Sequence, residues 1–157
     1  MEANDQIVSY SEEAKLFPQS QHGYRKHRTT TSALHCLQAK VMEFKEMGYK
    51  VTLANFDPSS AHNCLDREIP DGKLQSLRFD ETSRRWIKSY LSNRRLSIRV
   101  GTALSNMMPV SFGTVQGSAL SQTLFLLYIS DIELWTNFSL SCYCDDTCAI
   151  VKAESQD

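Results

Sequence analysis

The sequence predicts an α+β fold, an antiparallel sheet backed by helices, and three observations carry that expectation. Leu34, Leu37, Val41 and Phe44 fall at helical spacing along one face. Val51-Thr-Leu-Ala-Asn-Phe56 is a short, β-branched and aromatic run of the kind that forms a buried strand. Residues 141–151, Ser-Cys-Tyr-Cys-Asp-Asp-Thr-Cys-Ala-Ile-Val, are two short apolar runs joined at Asp145 and Asp146, which read as a hairpin with both carboxylates in its turn. The 157 residues suit one domain able to bury a core, and no internal repeat or low-complexity linker divides them.

In chain order, residues 1 to about 20 are polar and lack clear periodicity. A basic, glycine-containing loop follows from Gln21 to Arg28, and the threonines after it are candidate caps for the helix that carries the Leu34 stripe. Gly48 is its expected stop. Asp57 stands at the end of the first strand, and Pro58 turns the chain because it has no amide to give to a ladder. A short helix is expected over 59–68 and a longer one over 81–91, with Trp86, Ile87, Tyr90 and Leu91 as its apolar stripe. Leu96-Ser-Ile-Arg-Val100 alternates as a half-buried strand does, and Gly101 closes it. After a polar loop from Gly113 to Ser118, Leu120, Leu124, Leu127 and Tyr128 share one helical face.

A formal net charge of -1 gives no global attraction to nucleic acid, so any such binding requires a local basic patch. No apolar run approaches the ~18 residues of a membrane span, and the acidic N-terminus lacks the order of a signal peptide. The five cysteines, an odd number without regular spacing, point to a reducing compartment. Cys142, Cys144 and Cys148 crowd around the Asp pair, but without a Cys-x-x-Cys spacing they read better as small buried side chains than as zinc thiolates.

Two adjacent carboxylates repel each other, and Asp-Asp is a costly choice for a turn alone. Asp57 also ends a strand. If that strand pairs beside the hairpin, three oxygen donors gather at one sheet edge, a set that suits a hard divalent cation and phosphoryl chemistry. The alternative is that Asp57 caps a helix and the pair forms an ordinary polar turn.

The order of segments resembles the reverse transcriptase domain of non-LTR (LINE-type) retrotransposons. Gln21-His-Gly-Tyr-Arg-Lys-His-Arg-Thr-Thr-Thr-Ser-Ala-Leu34 looks like the family's fingers motif, Phe56-Asp-Pro-Ser-Ser-Ala61 its first palm motif, and Ser111-Phe-Gly-Thr-Val-Gln-Gly-Ser-Ala-Leu120 its second. Trp86 to Arg94 and Ser97 to Gly101 resemble the connecting segment, and Tyr143-Cys-Asp-Asp146 is similar to the Tyr-x-Asp-Asp box. The resemblance implies a partial fingers and palm, without a thumb, over residues 18–151, with 1–17 a divergent N-terminal segment and 152–157 a truncated tail. It implies that Asp57, Asp145 and Asp146 are catalytic and hold two Mg2+ ions, with Mn2+ as a substitute. It further implies that Arg25, Arg28, His62, Gln116 and Gly117 bind the nucleotide, and that Arg84, Arg85, Arg94 and Arg95 contact nucleic-acid backbone. The implied partners are an RNA template, a DNA primer and deoxynucleotides, with no membrane, in the nucleus or cytoplasm.

Several positions depart from the family pattern. His62 replaces the usual aromatic ring beneath the incoming sugar, Asn63 a usual Asp, and Pro58 a usually apolar residue. Val115 stands for the first proline of the second palm motif, and Ser121-Gln122 for its Gly-Pro. Only 11 residues follow Asp146, so the expected chain has the metal site without most of the surface that grips a duplex. Two expectations follow. One is an RNA-directed DNA polymerase domain, weak or inactive as an isolated fragment. The other is a non-catalytic retroelement remnant or small binding protein. Apolar palm surface left uncovered would favour self-association.

Overall fold

A computed structural model describes residues 2–57, 65–66, 71–115 and 117–154. The elements run α1 (Glu2–Glu13), α2 (Thr30–Glu46), β1 (Lys50–Phe56), α3 (Asp71–Ser76), α4 (Glu81–Leu91), β2 (Arg95–Leu96), β3 (Arg99–Val100), β4 (Ala103–Leu104), β5 (Met108–Pro109) and α5 (Ala119–Tyr128). A 3-10 turn (Ile132–Trp135), β6 (Ser139–Tyr143) and β7 (Asp146–Ala153) follow. The mix of helices with small antiparallel sheets is the expected α+β class. The chain divides into two compact units, residues 1–59 with 122–157, and residues 60–121.

The first unit contains a three-stranded antiparallel sheet in the order β1-β7-β6. Its central strand β7 is long and half-buried, with Ala149 and Ile150 in the core, as the apolar run from Cys148 to Val151 requires. Helix α2 packs on all three strands. It starts where expected: Thr29 is extended, and its side chain and that of Ser32 bond each other's backbone amides in a capping box. It stops at Gly48, whose φ of +85 closes the last turn at little cost to a residue without Cβ. Of the expected stripe Phe44 is buried, with the ammonium groups of Lys40 and Lys152 each 4.8 Å from its ring centre. Leu34 stays exposed over a groove.

The N-terminal stretch, expected to lack periodicity, is helix α1. Its inward positions, Asn4, Ile7 and Ser11, are spaced helically but only one is apolar. Asn4 accepts from the Thr123 hydroxyl at 2.7 Å, and the Ser11 hydroxyl is satisfied by the Ile7 carbonyl. Polar inward side chains with partners therefore conceal the period.

In the second unit α4 matches the expected helix, capped by Asp80, but buries only Ile87 and Leu91 of its stripe. Trp86 is exposed and stacks on Tyr90, with Arg94 over the Tyr90 ring. The expected half-buried strand 96–100 is instead two exposed two-residue pieces, β2 paired to β5 and β3 to β4. Both belong to small two-stranded ribbons with no buried face, so the alternation did not mark a core side. Helix α3, unforeseen, buries Leu74. The helix expected over 59–68 lies almost wholly outside the described residues.

Candidate active site at the hairpin turn

Ladder register decides where the carboxylates stand. Phe56 pairs with Thr147 as the last rung of the antiparallel β1–β7 ladder, and Asp57 and Asp146 are the next residues along the two chains. Residues two apart on a strand share a face, which puts Leu53, Asn55 and Asp57 beside Asp146 and Cys148. All five line one groove of about 620 Å3 between the sheet and α2. Asp146 opens β7, paired to Tyr143, so the turn itself is Cys144-Asp145, and only one carboxylate of the pair lies in it.

Asp57 and Asp146 are exposed and Asp145 is half-buried. As a donor set, three hard oxygens with no sulfur or nitrogen fit Mg2+. The side chains nonetheless do not converge: among the described residues no three His, Cys, Asp or Glu groups surround a common point. The backbone thus supplies the neighbourhood, without a ready-made three-ligand cage.

The basic loop packs on the same turn. The His22 amide donates to the Cys142 carbonyl at 2.9 Å and the Cys142 amide to Ser20 at 2.9 Å, so residues 20–22 extend the sheet beyond β6. The Tyr24 hydroxyl bonds the Cys144 thiol. Burial first, then that bond and the Asp145 charge, push the Tyr24 phenol up to about 12, so it stays protonated at neutral pH. Burial raises the Cys144 thiol as well. His22 is held below its usual value by burial and by the Arg28 and Arg25 charges, and its Nδ1 lies 2.7 Å from the Ser32 hydroxyl.

The two loop arginines are engaged within the chain. Arg25, its side chain only 6% exposed, forks onto both oxygens of Glu12 at 2.9 and 2.6 Å and donates to the Pro18 carbonyl. Arg28 donates to Gln19 and Gln21 carbonyls and to the Gln19 side chain. Of the other expected nucleotide residues, His62 and Gln116 lie outside the described residues. Gly117 sits at φ +79 in a turn, a conformation glycine adopts freely. Arg84 pairs with Asp71, Arg85 with Glu81, and Arg94 donates to the Tyr90 carbonyl, while Arg95 opens β2. Cys142 and Cys148 face opposite sides of the sheet, since Cys148 pairs with Ser141.

The family described as Reverse transcriptase (RNA-dependent DNA polymerase) matches residues 3–156, and the chain belongs to it. Among curated proteins it is similar to the RNA-directed DNA polymerase from mobile element jockey of Drosophila melanogaster, 26% identical over 161 residues that cover 96% of this chain and 17% of that protein. It is likewise similar to the probable RNA-directed DNA polymerase from transposon X-element of the same species, 26% identical over 166 residues with the same two coverages. The resemblance to non-LTR reverse transcriptases is thereby borne out. The chain spans about a sixth of the length of these relatives (17%). Reverse transcriptases as a family act on nucleic-acid template and primer and use divalent metal ions. Among the described residues no helix is long and apolar enough to cross a membrane.

Proposed function

We propose that this chain is the metal-binding palm portion of an RNA-directed DNA polymerase, working on an RNA template and a DNA primer in the nucleus or cytoplasm. The observation that supports it best is the β1–β7 register, whose last pair, Phe56 with Thr147, adjoins Asp57 on one side and Asp146, next to the turn that carries Asp145, on the other. Asp57, Asp145 and Asp146 would hold two Mg2+ ions, or Mn2+ in their place, and the chemistry these would supply is charge stabilisation of an in-line phosphoryl displacement.

Arg28, Gly117, Gln116 and His62 are assigned to the nucleotide, a planar guanidinium being suited to phosphate oxygens. Arg25 was expected there too, but its bonds to Glu12 and Pro18 suit it to holding the loop. His62, smaller than the usual aromatic ring, predicts weak exclusion of ribonucleotides.

Primer extension on an RNA template with Mg2+ and deoxynucleotides tests the proposal, with Asp145→Asn run in parallel. Extension by the wild type that disappears in the variant supports it. Folded wild-type protein that neither extends a primer nor binds Mn2+ sinks it. The non-catalytic reading then takes its place.

A further inference from the structure

The turn between β6 and β7 is held in a conformation that its own residues disfavour. Cys144 has φ +56, whereas Asp145 is not in the positive-φ region. A positive φ at the first central residue alone is the mark of a II′ turn, where glycine is the usual occupant. A residue with a Cβ is strained there, and the conformation persists only where its surroundings over-determine it.

The surroundings here are the side chain of Gln21. This glutamine is fully buried (0% exposed), far from typical for its type. Its Oε1 accepts from the Cys144 amide at 2.9 Å, and its Nε2 donates to the Cys144 carbonyl at 2.8 Å. One carboxamide therefore grips both backbone polar groups of the strained residue. The same Oε1 accepts from the Gly23 amide at 2.7 Å, which fixes the orientation of the carboxamide. Gly23 completes the socket, because a Cβ on it would overlap Cys144. Three of the carboxamide's four hydrogen-bonding positions are thus used, two on the residue that precedes Asp145 and one on Gly23.

We propose that Gln21 is a positioning residue: its carboxamide clamps Cys144 and thereby sets the direction of the Asp145–Asp146 carboxylates for cation binding. The inference rests on the metal-binding reading above. In this role Gln21 itself contacts neither ion nor nucleotide. It acts through the turn, as outer-shell partners of metal ligands do, whose loss commonly weakens metal binding about 10–100-fold.

The full chain is used for the test, with wild type, Gln21→Ala, Gln21→Glu and Asp145→Asn compared. Mn2+ affinity is read by electron paramagnetic resonance, and hydrogen exchange is followed in peptides covering residues 141–147 and, as a control, β1. Gln21→Glu keeps size and the acceptor but sets an oxygen against the Cys144 carbonyl. It therefore tests the clamp if Gln21→Ala does not fold. The expected result is faster exchange at the turn, unchanged exchange in β1, and Mn2+ affinity at least about tenfold weaker. Unchanged turn protection, or a loosened turn that binds Mn2+ as tightly as wild type, overturns the inference and leaves the metal site standing. Wild-type protein that binds no Mn2+, or binds it as well after Asp145→Asn, overturns the metal reading and the inference together. If neither Gln21 variant folds, Gln21 is a core residue and the inference fails alone.

Discussion

Gly23 and Cys144 make a contact that only glycine permits: a Cβ at position 23 would stand 2.2 Å from the Cys144 backbone nitrogen and 2.6 Å from its Sγ. The obstacle is mainly backbone, which cannot swing aside as a flexible side chain would. Gly23→Ala is therefore expected to lose about 1–3 kcal/mol of stability by overpacking. The check is the denaturant midpoint, with Gly72→Ala, where a Cβ meets nothing within 4 Å, as the control. Equal midpoints for the two variants would contradict the contact.

Acidification is expected to destabilise the first unit in two stages. His22 has a lowered value in the folded chain, so the unfolded chain binds its proton first. Its contribution is complete above the ordinary histidine value of 6.5 and fades as pH falls from there toward the folded value. Glu12, lowered chiefly by its bond to Arg25, adds a second loss that begins near 4.5 and is complete below its folded value. Thermal midpoints measured from pH 8 to 4 should fall throughout the acid range, and His22→Gln should flatten the first stage. A midpoint that rises between pH 7 and 5 would contradict this.

Self-association is expected through the groove beside the carboxylates. Leu34 (63% exposed), Leu53 (45%) and Phe56 (56%) line it and leave an apolar patch next to charged groups. Sedimentation velocity should show an apparent mass that rises with concentration, and Leu34→Glu should return the protein toward monomer. A single boundary independent of loading would contradict it.

Sequence patterns reported the parts of the fold whose physics is local. The capping threonine, Gly48 and the apolar run of β7 each leave a signature within a few residues, and each element stands where that signature put it. Helix α1 left none, because its inward side is built from Asn4 and Ser11, whose burial is made affordable by distant or backbone partners. The strand expected at 96–100 failed for the opposite reason, since alternation was present with no buried face beneath it. At the candidate site the strand that ends before Asp57 and the hairpin that carries Asp145 and Asp146 were legible, and β1 does pair beside that hairpin. The role of Gln21 was not: it was visible only as one letter of a motif, and its partner lies 123 positions away. Arg25 shows the same limit, since nothing in the loop's composition announces that Glu12 neutralises it.

The strand order β1-β7-β6 also bears on how the site comes into being during folding. The β6–β7 hairpin joins neighbours across a two-residue turn, and loops that short close quickly. Attaching β1 to β7, and docking Gln21 on the turn, both require closing loops of roughly a hundred residues, steps that are entropically dearer and slower. The hairpin is thus expected to exist first as a bare turn carrying Asp145 and Asp146, with Cys144 free to relax from its positive φ. Asp57 and the glutamine arrive together with the last long-range contacts. Competence to bind a cation would then report completed folding of this unit, and a chain arrested before β1 docks would carry the acidic turn without its site.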